Sequence, residues 1–209
     1  MTVKLTEAEK IKVLSGESLF RVMQRILLRE EIIDQNREHF WVVGLETNLR
    51  ILFIELISMG SVKATIVEPM EVFSFALQKR AVQVILVHNH PSGNLKPSKA
   101  DKDITDRLFQ VGKIVDCPVL DHLIISTESY NSFANTGLLE EISKSEKYVP
   151  AYVLKQRWEE KAAESATKKR DIEIAKEMKR KDLDHRLISE VTGLTIQEVD
   201  ALRVRRKKK

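Results

Sequence analysis

Two histidines and a carboxylate with the spacing of metal ligands lie close together in this 209-residue chain: His88, His90 and Asp101. One residue separates the histidines, so an extended backbone points both imidazoles to the same side. A third ligand from Asp101 leaves one coordination position open to water, which is the arrangement of a catalytic rather than a structural zinc. Each residue also has a purely structural use. A histidine at a strand end is an ordinary polar terminus, and Ser98 with Asp101 makes a helix cap with an acid in the first turn. Cys117 is the only cysteine, which excludes an internal disulfide and a thiolate cluster and leaves histidines and carboxylates as the strong ligands. It lies just before the apolar run at 119–125 and reads as a small core residue rather than a reactive thiol.

The elements around these residues place them. The nearly continuous apolar run at 82–88 predicts a strand covered on both faces and ending at His88. A polar loop shaped by proline and glycine follows over 89–97, and Ser98 fits the N-cap of a helix reaching about residue 111. Upstream, the runs at 40–45 and 51–57 flank a turn near Thr47 and Asn48 and should pair as a hairpin closed by Gly60. Pro69 precedes a helical stretch at 71–79, and 119–126 supplies a further strand. Ahead of all this, Thr6 and Glu9 read as a capping box opening a first helix. Gly16 would separate that helix from a second one carrying Leu19, Val22, Met23, Ile26 and Leu27. The expected organisation is a helical lead-in over 1–36, a mixed α/β (α+β) body over 37–148 with mostly hairpin connections, and a helical tail over 149–209.

That tail is charged and helix-prone over 151–181, which suggests a linker helix, and then reads as two short helices with Gly193 at the turn and Thr195 as an N-cap. Residues 151–209 carry 17 Lys and Arg against 11 Asp and Glu, while 1–150 carry 18 against 20. The net charge of +4 is therefore a tail of +6 on a body of −2. A basic cluster from Arg205 to Lys209 can contact DNA phosphates or simply be a solvated end. The second tail helix would read bases poorly, because Glu198 and Asp200 oppose phosphate. No run is long and apolar enough for a membrane helix, and the N-terminus has no secretory pattern, so a cytoplasmic protein without membrane contact is the expectation.

The string HNHPSGNLKPSKAD, with His-x-His, seven residues, Ser, two residues and Asp, and the downstream VLDHLIIS resemble the RadC branch of the JAMM/MPN metalloprotease superfamily. The resemblance spans roughly residues 37–138. It implies a JAMM/MPN-like, cytidine-deaminase-like mixed sheet flanked by helices, with His88, His90 and Asp101 as ligands of Zn2+. It further implies that Ser98 stabilises an oxyanion and that an upstream glutamate is the general acid/base. Glu38, just ahead of the first strand, has the matching position, and Glu55 is the fallback. Asp121 and His122 match the RadC pattern and would either support a ligand imidazole or simply form a turn into the last strand.

The implied reaction is hydrolysis of an amide in a peptide or protein substrate by zinc-activated water. A DNA-repair association comes with the family name only, and the lead-in before Arg37 is too short for the helix-hairpin-helix module of the fuller family pattern. A metal-dependent nuclease and an interaction scaffold without turnover are the rival expectations. The segment around Gly193 is also similar to a helix-turn-helix.

Overall fold

The computed structural model describes residues 2–6, 9–60 and 67–203. The chain divides into two compact units, Met1–Val149 and Pro150–Lys209.

The first unit is built on a five-stranded mixed sheet in the order β2-β1-β3-β4-β5. Its strands are β1 (His39–Leu45), β2 (Ile51–Met59), β3 (Gln83–Asn89), β4 (Val119–Ile125) and β5 (Tyr130–Ser132). β1 pairs antiparallel with both β2 and β3, β3 runs parallel to β4, and β4 is antiparallel to β5. The single parallel pair needs a crossover, which is supplied by α4 (Lys99–Ile114). This is the mixed sheet expected from the strand runs, but its hairpins, β1–β2 and β4–β5, are matched by two crossovers, because α3 (Pro69–Gln78) carries the chain from β2 across β1 to β3.

Strand alternation sorts the side chains onto two faces. Trp41, Val43, Ile85, Val87, Leu123 and Ile125 pack with α1 (Gly16–Leu27), through Leu19, Val22, Met23 and Ile26. Phe40, Val42, Val84 and Leu86 pack on the opposite face with α3 and α4, through Val72, Phe73 and Leu108. The unit is therefore three layers thick, with the sheet in the middle. His88 has the parity of Val84 and Leu86, so its ring emerges on the α4 side.

The N-terminal segment departs from expectation. Thr6 and Glu9 do make the local bond, Thr6 N–H donating to Glu9 Oε2 at 2.9 Å, but no helix follows over 9–13. The chain instead runs beside β2: Ile51 N–H donates to the Ile11 carbonyl at 3.0 Å, and Val13 N–H to that of Leu49 at 2.9 Å. Glu9 is buried against Arg29. Pairing with the sheet overrides a cap signature that is only local. The first helix starts at Gly16, behind the N-cap Ser15 and its capping box with Ser18. Gly16 thus begins a helix instead of separating two, and a single turn, α2 (Ile32–Gln35), completes the lead-in.

Gly44 sits opposite Phe53 in the β1/β2 pair, and a Cβ there would come within 2.0 Å of the Phe53 ring. Phe53 is buried, so its ring has nowhere to retreat. Gly44→Ala is expected to destabilise the protein by about 1–3 kcal/mol, the range for overpacking a filled core. The readout is a lower urea midpoint at unchanged m-value.

Beyond Gly137 the first unit ends with α5 (Leu138–Ser143). The second unit contains α6 (Ala151–Arg180), α7 (His185–Thr192) and α8 (Ile196–Ala201). α6 is polar around its circumference for most of its length. Its C-terminal turns do more than link, because Ala175, Ile172 and Met178 form a small core with Ile188 of α7, Val199 of α8 and Leu194 from the turn between them. Gly193 takes φ +69° at the end of α7, a left-handed position that suits glycine. The two acids that oppose phosphate contact are engaged within this unit. Glu198 caps α8 through Thr195 and pairs with Lys168 at 3.0 Å, and Asp200 meets His185 Nδ1 at 2.6 Å. The basic cluster from Arg205 to Lys209 lies outside the described residues. Among those residues, no helix is long and apolar enough to cross a membrane.

Candidate metal centre

β3 carries His88 on its last turn of the pleat, and the loop that follows brings His90 back beside it. The two Nε2 atoms are 2.8 Å apart. Asp101 reaches them from the first turn of α4: Oδ1 lies 3.2 Å from His88 Nε2, and Oδ2 lies 3.6 Å from His90 Nε2. What places that carboxylate is the capping box. Ser98 Oγ accepts from the Asp101 N–H at 3.1 Å, and Asp101 Oδ2 accepts from the Ser98 N–H at 2.6 Å. The cap and the ligand geometry are therefore the same arrangement of atoms, not alternatives.

Hydrogen-bond chemistry tests whether a metal fits here. His90 Nδ1 lies 2.6 Å from the Asn94 carbonyl, which can only accept, so Nδ1 bears a proton and a neutral His90 offers a lone pair at Nε2. That lone pair points at His88 Nε2 and at an anionic carboxylate, a cluster that calls for a cation. The separations of 2.8, 3.2 and 3.6 Å bracket the ~3.3 Å between tetrahedral ligands on zinc bonds of about 2.05 Å. Among the described residues this is the one group of three or more His, Cys, Asp or Glu side chains close enough to share an ion. The donor set, two nitrogens and a carboxylate oxygen, suits zinc.

The same contacts set the protonation of the cluster without a metal. The hydrogen bond to Asp101 raises the His90 pKa above its usual 6.5; burial opposes this, while Asn94 and the charge of Glu38 add to it. Burial alone would raise the Asp101 carboxyl, but the adjacent His88 and His90 imidazoles outweigh it and hold that group well below the usual carboxylate range.

Glu38 borders the cleft that contains these residues, a space of about 470 Å³ also lined by Ser98, Arg107 and Tyr148. The β1/β3 register pairs Phe40 with His88, so Glu38 falls opposite His90. Its backbone is held on both sides. Asn89 accepts from the His39 N–H at 2.7 Å and donates to the Arg37 carbonyl at 2.9 Å, and the Gly60 N–H donates to the Glu38 carbonyl at 2.8 Å. Glu55 lies elsewhere, fully buried on β2 with Lys79 Nζ at 2.5 Å and Thr2 Oγ1 donating at 2.5 Å. It borders no part of the cleft.

The pair at 121–122 splits. Asp121 accepts from Ser132 Oγ at 2.5 Å and from the Ala134 N–H at 2.8 Å, which pins the chain after β5. His122 turns to the metal side, with its Nε2 2.8 Å from His88 Nδ1. Thr105 and Asn94, both in contact with histidines of this cluster, escape a reading of the sequence. The only available signal is that Thr105 follows Asp101 by four residues and so shares its helix face. Cys117 is buried, and desolvation pushes its thiol up to about 11, which fits a core residue.

A five-stranded mixed sheet between helices, with a His-x-His pair leaving a central strand and a carboxylate from the next helix, defines a JAB/MPN-like domain. The chain belongs to the RadC family, whose RadC-like JAB domain matches residues 18–138. It is 44% identical over 112 residues to a UPF0758 protein of Desulforudis audaxviator, covering 54% of this chain and 49% of that one. It is 38% identical over 128 residues to one of Chlorobium chlorochromatii, covering 61% and 55%, and 39% identical over 127 residues to one of Flavobacterium johnsoniae, covering 61% and 53%. The chain thus spans about half the length of these relatives, whose name states no activity.

Proposed function

We propose that this protein is a zinc-dependent hydrolase of amide bonds, acting on a peptide or isopeptide linkage in a protein substrate. The observation that carries the reading is the convergence of His88 Nε2, His90 Nε2 and the Asp101 carboxylate in an open cleft that Glu38 also borders. Bound zinc would polarise the substrate carbonyl and lower the pKa of water towards ~7.

The chain's own residues would then divide the remaining work. Glu38, held by Asn89 and Gly60 on the His90 side, accepts the proton of the attacking water and returns it to the leaving nitrogen. Ser98 Oγ uses a lone pair on the Asp101 N–H, which leaves its own proton to donate to the developing oxyanion. Arg107 and Tyr148, which also line the cleft, would contact the substrate away from the reacting bond. A single three-ligand site favours amide over phosphodiester cleavage, for which paired metals about 3.5–4 Å apart are the common solution.

Elemental analysis of the purified protein tests the reading, together with assays on peptide and isopeptide substrates before and after chelation. The expected result is about one zinc per chain, with hydrolysis lost on chelation and restored by zinc. A folded protein that takes up no added zinc would remove this function.

A further inference from the structure

The buried side of the cluster contains a chain of hydrogen bonds that ends on a backbone carbonyl. Thr105 Oγ1 lies 2.5 Å from the Asp101 carbonyl and 2.6 Å from His122 Nδ1. His122 Nε2 lies 2.8 Å from His88 Nδ1. Thr105 and His122 are both fully buried, so water does not compete for these bonds. His88 and His122 occupy one face of the adjacent parallel strands β3 and β4, and Thr105 descends on them from α4.

The direction of every bond follows from the last acceptor. A carbonyl cannot donate, so the single Thr105 hydroxyl proton goes to the Asp101 oxygen. His122 Nδ1 must then be the donor to Thr105. The fully buried His122 ring hydrogen-bonds to Thr105 and His88, neither of them an anion, and an uncompensated charge is costly in such a place, so the ring is neutral and its Nε2 accepts. His88 Nδ1 is therefore the donor in the last bond, and a neutral His88 carries its free lone pair on Nε2, the atom that faces His90 and Asp101.

We propose that Thr105 and His122 are positioning residues that select the Nδ1–H tautomer of His88 and so set the metal affinity of a site neither of them touches. The relay starts from the backbone of Asp101 and returns to His88, so one ring of bonds holds two ligands in register. The proposal rests on reading His88, His90 and Asp101 as a zinc site. Without the Thr105 hydroxyl, His122 Nδ1–H loses its acceptor. The ring then favours its other tautomer, which donates from Nε2 and drives the His88 proton onto Nε2, where a metal has to bind.

The test compares Thr105→Val with Thr105→Ser in the full chain, by zinc titration against a competing chelator and by nitrogen NMR of the histidines in metal-free protein. Thr105→Val is expected to bind zinc about 10–100-fold more weakly, the usual loss when a partner behind a ligand is removed. Its His88 proton is expected to move to Nε2, while Thr105→Ser keeps the parent affinity and tautomer. Should Thr105→Val not fold, His122→Gln against His122→Leu makes the same comparison, because only glutamine can accept from His88 while donating to Thr105. Parent-like affinity and an Nδ1–H His88 in Thr105→Val would overturn the relay and leave the zinc site standing. A parent that binds no zinc would remove the zinc reading, while the His88 tautomer in the metal-free variants would still decide the relay.

Discussion

Asp101→Asn is expected to abolish stoichiometric zinc binding while keeping the fold. Asparagine retains an oxygen for the Ser98 N–H, so the cap of α4 survives, but the charge that completes the ligand set is gone. The fall in affinity should exceed the roughly 10–100-fold seen when only a supporting partner is lost. The pH dependence has a definite sign. In metal-free protein the His90 pKa is raised above 6.5, so its contribution to stability is fully present below about that pH and fades as pH rises through the raised value. Asp101 is lowered from 3.8, so its contribution is present above that pH and is lost only in strong acid. Zinc must displace the His90 proton, and its affinity should fall by up to about one decade per pH unit below the His90 pKa. Melting of chelated protein should therefore shift down between pH 6 and pH 8, whereas melting at a fixed zinc concentration should shift up. Equal slopes with and without zinc would mean that the metal does not bind at His90.

Glu38→Gln is expected to lower amide hydrolysis by about 10²–10⁴-fold, the usual contribution of a positioned acid/base group, with zinc content unchanged. Glutamine preserves the shape and removes the proton acceptor. The charge of Glu38 helps raise the His90 pKa and attracts a metal cation in the same way, so its removal has opposing effects on zinc binding, which should change little at neutral pH. A loss of activity that tracked a loss of zinc would place Glu38 in metal retention instead. Glu55→Gln is the contrasting variant. It disturbs a buried ion pair with Lys79, so its effect should appear in stability and not in the pH profile of turnover.

Much of this arrangement was legible in the sequence because its determinants are local. The alternating and continuous apolar runs specified the strands around β1, β2, β3 and β4, since burial on one or both faces leaves that pattern directly. Ser98 and Asp101 announced the start of α4, and His-x-His announced two rings on one side of an extended chain. The cap at Thr6 and Glu9 shows the limit of such signals: its hydrogen bond forms, yet pairing with the edge of β2 decides the conformation of the segment that follows.

What only the tertiary structure decided is which distant residues share an environment. Glu38 and Glu55 both precede the histidines, and the sequence offered a position for each. The β1/β3 register sets the first opposite His90, and α3 brings Lys79 to the second. His122 and Thr105 lie 34 and 17 residues from the partners they join, and no periodicity links them to His88. Strand order, register and the helix that crosses between β3 and β4 bring these groups together, because hydrogen-bond direction and desolvation depend on neighbours in space and not on neighbours in the chain.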